Sequence, residues 1–215
     1  MKIGIIGSGI VGRVLGTAFL NEENEVMLGT RDISKEEVQK WYAANSSGRI
    51  GTFAEAVKFG EIIILATGGL VTEDAIKLAG IDNFKAKTVI DATNPIAAVP
   101  PVNGVLQYFT NMNESLMEKI QQLLPEANIV KAFNSVGNAF MYKPDFNGLK
   151  PTMFICGNDV DAKKIVTEIL SAFGWETEDM GKVEAARAIE PLCILWCIPG
   201  FIHNQWGHAF KLLKK

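Results

Sequence analysis

MKIGIIGSGIVG, spanning Met1 to Gly12, carries the reading on which the fold turns. Lys2 to Ile6 is a short apolar run with β-branched residues, which suits a strand buried on both faces of a parallel sheet. Gly7-Ser8-Gly9-Ile10-Val11-Gly12 follows at once, and Arg13 to Leu20 then spaces apolar residues at helical intervals. Residues 25–28 read as a second strand, so residues 2–29 form one strand–helix–strand unit. A lone G-x-G-x-x-G is a weak signal, and an ordinary strand-to-helix turn is the plain alternative. Its place directly after a strand and at the mouth of a helix is the context that gives it meaning. Gly7 permits the tight turn, Gly9 lets a pyrophosphate approach the backbone, and Gly12 lets the helix lie close on the strand. The helix N-terminus favours the phosphate charge. The stretch implies dinucleotide binding.

Outward from this unit, strand patterns recur at residues 62–66, 88–92, 129–132 and 152–156. Helical patterns fall between several of them, at 35–44, 72–79, 114–124 and 159–173. The alternation predicts an α/β fold of the Rossmann type, a doubly wound, mostly parallel sheet with a small helical C-terminal part. Residues 176–179 read as a last short strand, and residues 181–214 as helical, with an interruption near Pro199-Gly200. The expected division is a nucleotide-binding domain over residues 1–174 and a C-terminal helical part over 175–215 that covers substrate and dimerises. The apolar run AIEPLCILWCIPGFI, Ala188 to Ile202, is shorter than the roughly 20 residues a membrane span needs and contains Glu190 and two prolines. It reads as a buried or interfacial helix.

Composition narrows the class. Of the 215 residues, 48% are hydrophobic and 21% charged, which excludes disordered and fibrous chains. A net charge of −3 offers no electrostatic footprint for nucleic acid or an anionic membrane. Three cysteines cannot all pair internally, and the chain opens on a strand pattern without a signal peptide, so a reduced, cytoplasmic protein is expected.

The end of the second strand indicates which dinucleotide. An NAD site places an Asp or Glu there for the ribose 2′-OH. Here Gly29-Thr30-Arg31-Asp32 is followed by Ser34 and Lys35. Thr30 can donate a hydroxyl hydrogen bond, and Arg31 can stack on adenine while gripping a 2′-phosphate. Lys35 adds a point charge on the next turn. NADP(H) is favoured, with Asp32 keeping NAD as the minority reading and a solvated charged loop as the plain one. Ala66-Thr67-Gly68-Gly69 and Asn94-Pro95-Ile96 follow the next two strands, where ligands bind in open α/β sheets. Their small residues admit a ribose or nicotinamide, although Gly and Asn-Pro also mark ordinary turns. Asn134, in Phe133-Asn134-Ser135 after the fifth strand, is the candidate substrate-facing residue, with a structural cap as its alternative.

Cys193, Cys197, His203 and His208 superficially resemble a metal set, but the two cysteines lie in a strongly apolar helix, and no metal site is expected. Trp196 is a candidate for stacking on substrate, against the commoner role of core aromatic. Neither a nucleophile elbow nor a Walker-type phosphate loop is present. No evident acid or base stands ready for a hydroxyl proton, so no catalytic residue is assigned. Hydride transfer between NADPH and a flavin-like ring needs mainly the apposition of two rings.

With GSGIVGRVLGTAFL, GTRD, IIILAT, DATNP, KAFNSVGN and RAIEPLCILW, the chain resembles the coenzyme F420-dependent NADP oxidoreductase family and the related oxidoreductase domains of metalloreductases. The resemblance covers nearly the whole chain. It implies an NADP(H)-binding Rossmann domain, F420 or flavin as co-substrate, a small-molecule hydride acceptor and a homodimer. By position it implies pyrophosphate contacts from Gly7 to Gly12, with Ser8, Ile10 and Val11 contributing backbone groups. It sets Thr30, Arg31 and Lys35 at the 2′-phosphate and Thr67 and Asn94 on the nicotinamide side. The deazaflavin reductases place a His where this chain has Asn134; the Asn is closer to the metalloreductase-type domains, which handle flavin. Two rival readings remain, a small imine or carbonyl reductase of the pyrroline-5-carboxylate reductase type and a non-catalytic NADPH sensor.

Overall fold

The computed structural model describes residues 1–215. Eight strands form one sheet in the order β3-β2-β1-β4-β5-β6-β7-β8. They are β1 (Lys2–Ile6), β2 (Glu25–Gly29), β3 (Arg49–Gly51), β4 (Ile62–Leu65), β5 (Thr88–Asp91), β6 (Asn128–Lys131), β7 (Thr152–Gly157) and β8 (Glu176–Asp179). All pairings are parallel except β6 with β7. The strand order reverses between β1 and β4, and the carboxyl ends of these strands open the crevice where α/β folds take ligands.

Helices cover both faces, so the central strands are apolar throughout rather than alternating. One core joins Ile3, Ile5, Leu15, Phe19, Trp41, Val166 and Phe173, and therefore sets α1 (Ile10–Asn21), α2 (Glu36–Ala44) and α6 (Val160–Ala172) on one face. The other joins Ile6, Val57, Ile63, Ile76, Phe84 and Ile120 beneath α3 (Phe53–Phe59), α4 (Thr72–Ala79) and α5 (Leu116–Leu123). The short β3 and α3 were absent from the sequence reading. Three strand residues fall below the length at which a pattern can be read. α3, however, begins with a capping box, Thr52 and Glu55 exchanging side-chain and backbone bonds, and T-x-x-E is visible in the sequence.

The C-terminal part departs from expectation. After α7 (Ala186–Ile189), α8 (Pro191–His203) runs through Pro199 without a break. The carbonyl that Pro199 leaves without a donor belongs to Leu195, which is exposed, so water can satisfy it. The helix then stops at Asn204, whose φ of 53° is left-handed, and residues 204–215 form no helix. That tail lies along β7 instead: Thr152 N–H donates to the Phe210 carbonyl, and Leu212 N–H to Thr152 Oγ1. Val183–His203 is long and apolar enough to cross a membrane by length and composition, and it buries Ala186, Ile189, Glu190, Cys193 and Trp196 against the body of the protein.

One ion cluster joins this part to the sheet. Lys131, at the end of β6, is fully buried and places Nζ 2.7 Å from Asp91 Oδ2 on β5 and 2.9 Å from Glu190 Oε1 before α8. The Thr93 carbonyl accepts its remaining proton at 2.9 Å. Burial alone would push the ammonium to lose its proton, but the two carboxylate charges outweigh it and raise its pKa. Glu190 also accepts from the N–H groups of Leu116 and Met117, so it caps α5. Replacing Lys131→Met would leave two carboxylates buried together without a cation, and should lower unfolding stability by about 3–5 kcal/mol. Urea denaturation checks this; an unchanged midpoint would show that the cluster carries no stability.

Candidate functional site

The turn after β1 is built as the glycine spacing requires. Gly7 has φ +117°, a conformation that side chains disfavour, and a Cβ on Gly12 would stand 1.8 Å from the Gly7 carbonyl oxygen. α1 therefore starts hard against the strand. Its N-cap is Gly9, no side chain caps it, and the first-turn N–H groups are left to face whatever occupies the crevice.

A cleft of about 220 Å³ lies in front of that helix end. One side is the glycine loop, with Gly7, Ser8 and Gly9. The second is the end of β2, with Thr30, Arg31 and Lys35, and the third is the end of β4, with Ala66, Thr67 and Gly68. Nine residues singled out from sequence thus surround one space. Ile10, Val11 and Gly12 form the first turn of α1 behind it. The far wall, Phe53 from α3 and Val71, Asp74, Ala75 and Leu78 around α4, was not anticipated. Its apolar members suit a flat ring, and they are contributed by helices whose exposed faces carry no distinguishing motif.

Hydrogen bonds stiffen the floor. Ser8 Oγ donates to Thr30 Oγ1 at 2.9 Å, and Thr30 N–H donates to the Gly51 carbonyl, tying the glycine loop to β2 and β3. Thr67 Oγ1 and Thr72 Oγ1 are 2.8 Å apart, and Thr72 bonds the Gly68 carbonyl, closing the loop after β4. The charged rim is asymmetric. Arg31 and Lys35 are exposed on the cleft, and their side chains form no ion pair or hydrogen bond within the protein. Asp32 does not line the cleft; its Oδ1 accepts from both Ser34 N–H and Ser34 Oγ, and these bonds hold its carboxyl below the usual carboxylate range. The strand end therefore presents two cations and no carboxylate to a ligand, a donor set matched to a phosphate on the ribose.

Asn94, Pro95, Asn134 and Trp196 are placed elsewhere, deeper along the carboxyl edge. Asn94 Nδ2 donates to the Asn134 carbonyl at 2.8 Å, and Asn134 Nδ2 donates back to Asn94 Oδ1 at 3.2 Å and to the Ile189 carbonyl at 3.0 Å. The two amides clasp the loops after β5 and β6. Asn134 is buried, and its Oδ1 has no donor. The preceding Phe133 is buried with φ 64°, a strained backbone for a bulky residue, and that twist carries the chain into the clasp. Tyr108 completes the group by donating to the Glu190 carbonyl at 2.7 Å. Burial raises its pKa, so it stays a phenol. Trp196 is buried, donates Nε1 to the His208 carbonyl and stacks on the His208 ring at 4.9 Å. Neither histidine lines the cleft.

Residues 2–95 match the family described as NADP oxidoreductase, coenzyme F420-dependent. Over those residues the chain is similar to that family. The chain is 29% identical over 202 residues to Metalloreductase STEAP3 of Rattus norvegicus, covering 92% of this chain but only 38% of that protein. It is likewise 29% identical over 202 residues to the F420-dependent NADP reductase of Methanocaldococcus jannaschii, covering 89% of each. A crystal structure from Arthrobacter sp. FB24, provisionally named an F420-dependent NADP-reductase, superposes with a TM-score of 0.93 over the full length of both chains at 27% identity. The agreement runs to the last residues, so the C-terminal part is shared with the reductase-named structure as well as the sheet.

Proposed function

We propose that the protein is an NADP(H)-dependent oxidoreductase that passes hydride between NADPH and a flavin or deazaflavin such as F420. The observation that carries the cofactor choice is the rim of the cleft: Arg31 and Lys35 unpaired on it, and Asp32 turned onto Ser34. Within this reading the backbone from Gly7 to Gly12 meets the pyrophosphate. Thr30, Arg31 and Lys35 hold the 2′-phosphate, while Ala66, Thr67 and Gly68 flank the ribose. Asn94, Pro95 and Asn134 fix the edge at the nicotinamide and acceptor end, and Trp196 backs it. NADPH, when bound, supplies the hydride and its electron pair; the accompanying proton reaches the acceptor ring from water. The chain's contribution is then to hold two rings face to face and keep the phosphates neutralised.

Residues 1–174 bind the nucleotide in this scheme, and residues 175–215 cover the acceptor and pair two copies. Leu195, Phe201 and Ile202 are exposed on α8, beside a hairpin whose Gly104 sits against Ile202 and whose Val102 and Val105 are also exposed. Such a cluster is the kind of surface a second copy covers. Three unpaired cysteines suit the reducing cytoplasm, where we place the protein.

Arg31→Ala should weaken NADPH binding about tenfold or more and leave NADH binding nearly unchanged, read by fluorescence titration. Equal losses for both would remove the 2′-phosphate assignment. Anaerobic mixing with NADPH should reduce F420 or FMN at a rate that saturates with acceptor; no turnover on either ring, with NADPH bound, would favour the sensor reading. Light scattering at micromolar concentration should return the mass of a dimer, and a monomer there would refute the pairing through α8.

A further inference from the structure

We propose that Arg13 is a positioning residue for the pyrophosphate loop: by gripping the Ser8 carbonyl from the outer flank of α1, it turns the Gly9 N–H into the cleft. This rests on reading the cleft as a dinucleotide site and adds a residue that the glycine spacing does not include.

Arg13 Nη1 donates to the Ser8 carbonyl oxygen at 2.6 Å. The guanidinium does not line the nucleotide cleft. It lies on the other flank of α1, in a crevice shared with Thr17 and Trp41. Trp41 braces that flank, its Nε1 lying 3.0 Å from both the Arg13 carbonyl and Thr17 Oγ1. Every peptide bond in the chain is trans. The Ser8 carbonyl and the Gly9 N–H belong to one peptide plane and point in opposite directions. A carbonyl held outward by Arg13 therefore commits the Gly9 N–H to the cleft side, where it has no partner within the protein.

The clamp is needed because little else fixes this plane. A Cβ on Gly9 would meet nothing within 4 Å, so neither a side chain nor packing resists rotation of the 8–9 peptide. Rotated, it would aim a carbonyl oxygen at the pyrophosphate. Ser8 Oγ on Thr30 Oγ1 restrains the side chain of residue 8 but not the plane that follows it. Arg13 pairs with no carboxylate, and the bond to the loop is its one side-chain hydrogen bond within the protein.

The test titrates wild type, Arg13→Met and Arg13→Lys with NADPH, ADP and adenosine 2′-monophosphate. Arg13→Met should weaken NADPH and ADP together, by about tenfold, and leave the 2′-monophosphate unchanged, because that ligand is held at the end of β2 by Thr30, Arg31 and Lys35. Arg13→Lys, which can still donate to the carbonyl, should recover most of the loss. The ratio of wild type to Arg13→Met should be the same in low and high salt. Unchanged ADP affinity would overturn the proposal, as would a 2′-monophosphate loss in step with ADP. A ratio that shrinks with salt would mean that Arg13 pairs directly with phosphate. Wild type that binds neither NADPH nor ADP would instead defeat the cleft reading itself. A measurement that needs no variant is hydrogen exchange at the Gly9 amide. It should be fast in the free protein and slowed by ADP; if ADP leaves it fast, the amide does not face the phosphates.

Discussion

A lysine with no access to water governs how the two parts of this protein fit. Lys131 reaches Asp91 on the neighbouring strand and Glu190 from the C-terminal helices, and none of the three can be solvated. Two carboxylates around one ammonium leave an excess negative charge in the interior, so the cluster depends on its further donors. Asp91 Oδ1 accepts from Thr93 N–H and hydroxyl, and both Glu190 oxygens accept from the start of α5. Those further bonds are what make buried ions tolerable. The C-terminal part is thereby registered on the sheet by direction-specific bonds as well as by apolar contact, which slides more readily.

From this anchor the carboxyl edge of the sheet divides into two kinds of surface. Around the glycine loop, hydroxyl pairs and close glycine packing stiffen the backbone while its donors remain free. Around Asn94 and Asn134 the polar groups are consumed by one another, and the strain sits on Phe133. The first surface offers charge and N–H groups to a polyanion. The second offers a fixed, nearly saturated wall, suited to bounding a ring and poorly suited to exchanging protons with it.

The sheet, its winding and the loops that line the cleft were legible in the chain because they rest on local rules. Strand patterns and helix starts recur with short connections, and glycine spacing reports backbone geometry directly. The strands at 62–65 and 88–91 lie within a residue of where the apolar runs place them. What escaped depends on distance in sequence. Glu190 meets Lys131 across 59 residues, and nothing local to either predicts the pairing. The tail after Asn204 is apolar enough to read as helix, yet its backbone is taken up by β7, more than 50 residues earlier. Asn94 and Asn134 were singled out individually, but their mutual bonding is a property of the folded edge alone.

That mutual bonding has an evolutionary consequence. Asn94 gives one bond and receives another across the clasp while the Asn134 amide gives two, so an aspartate at either position would set a carboxylate against a carbonyl that now receives an N–H, and an aliphatic residue would strand its partner in a buried setting. Single changes at 94 or 134 should therefore be filtered out, while paired changes that restore a donor opposite an acceptor survive. The two positions form one heritable unit, and divergence of this edge among descendants of this fold would proceed there in double steps.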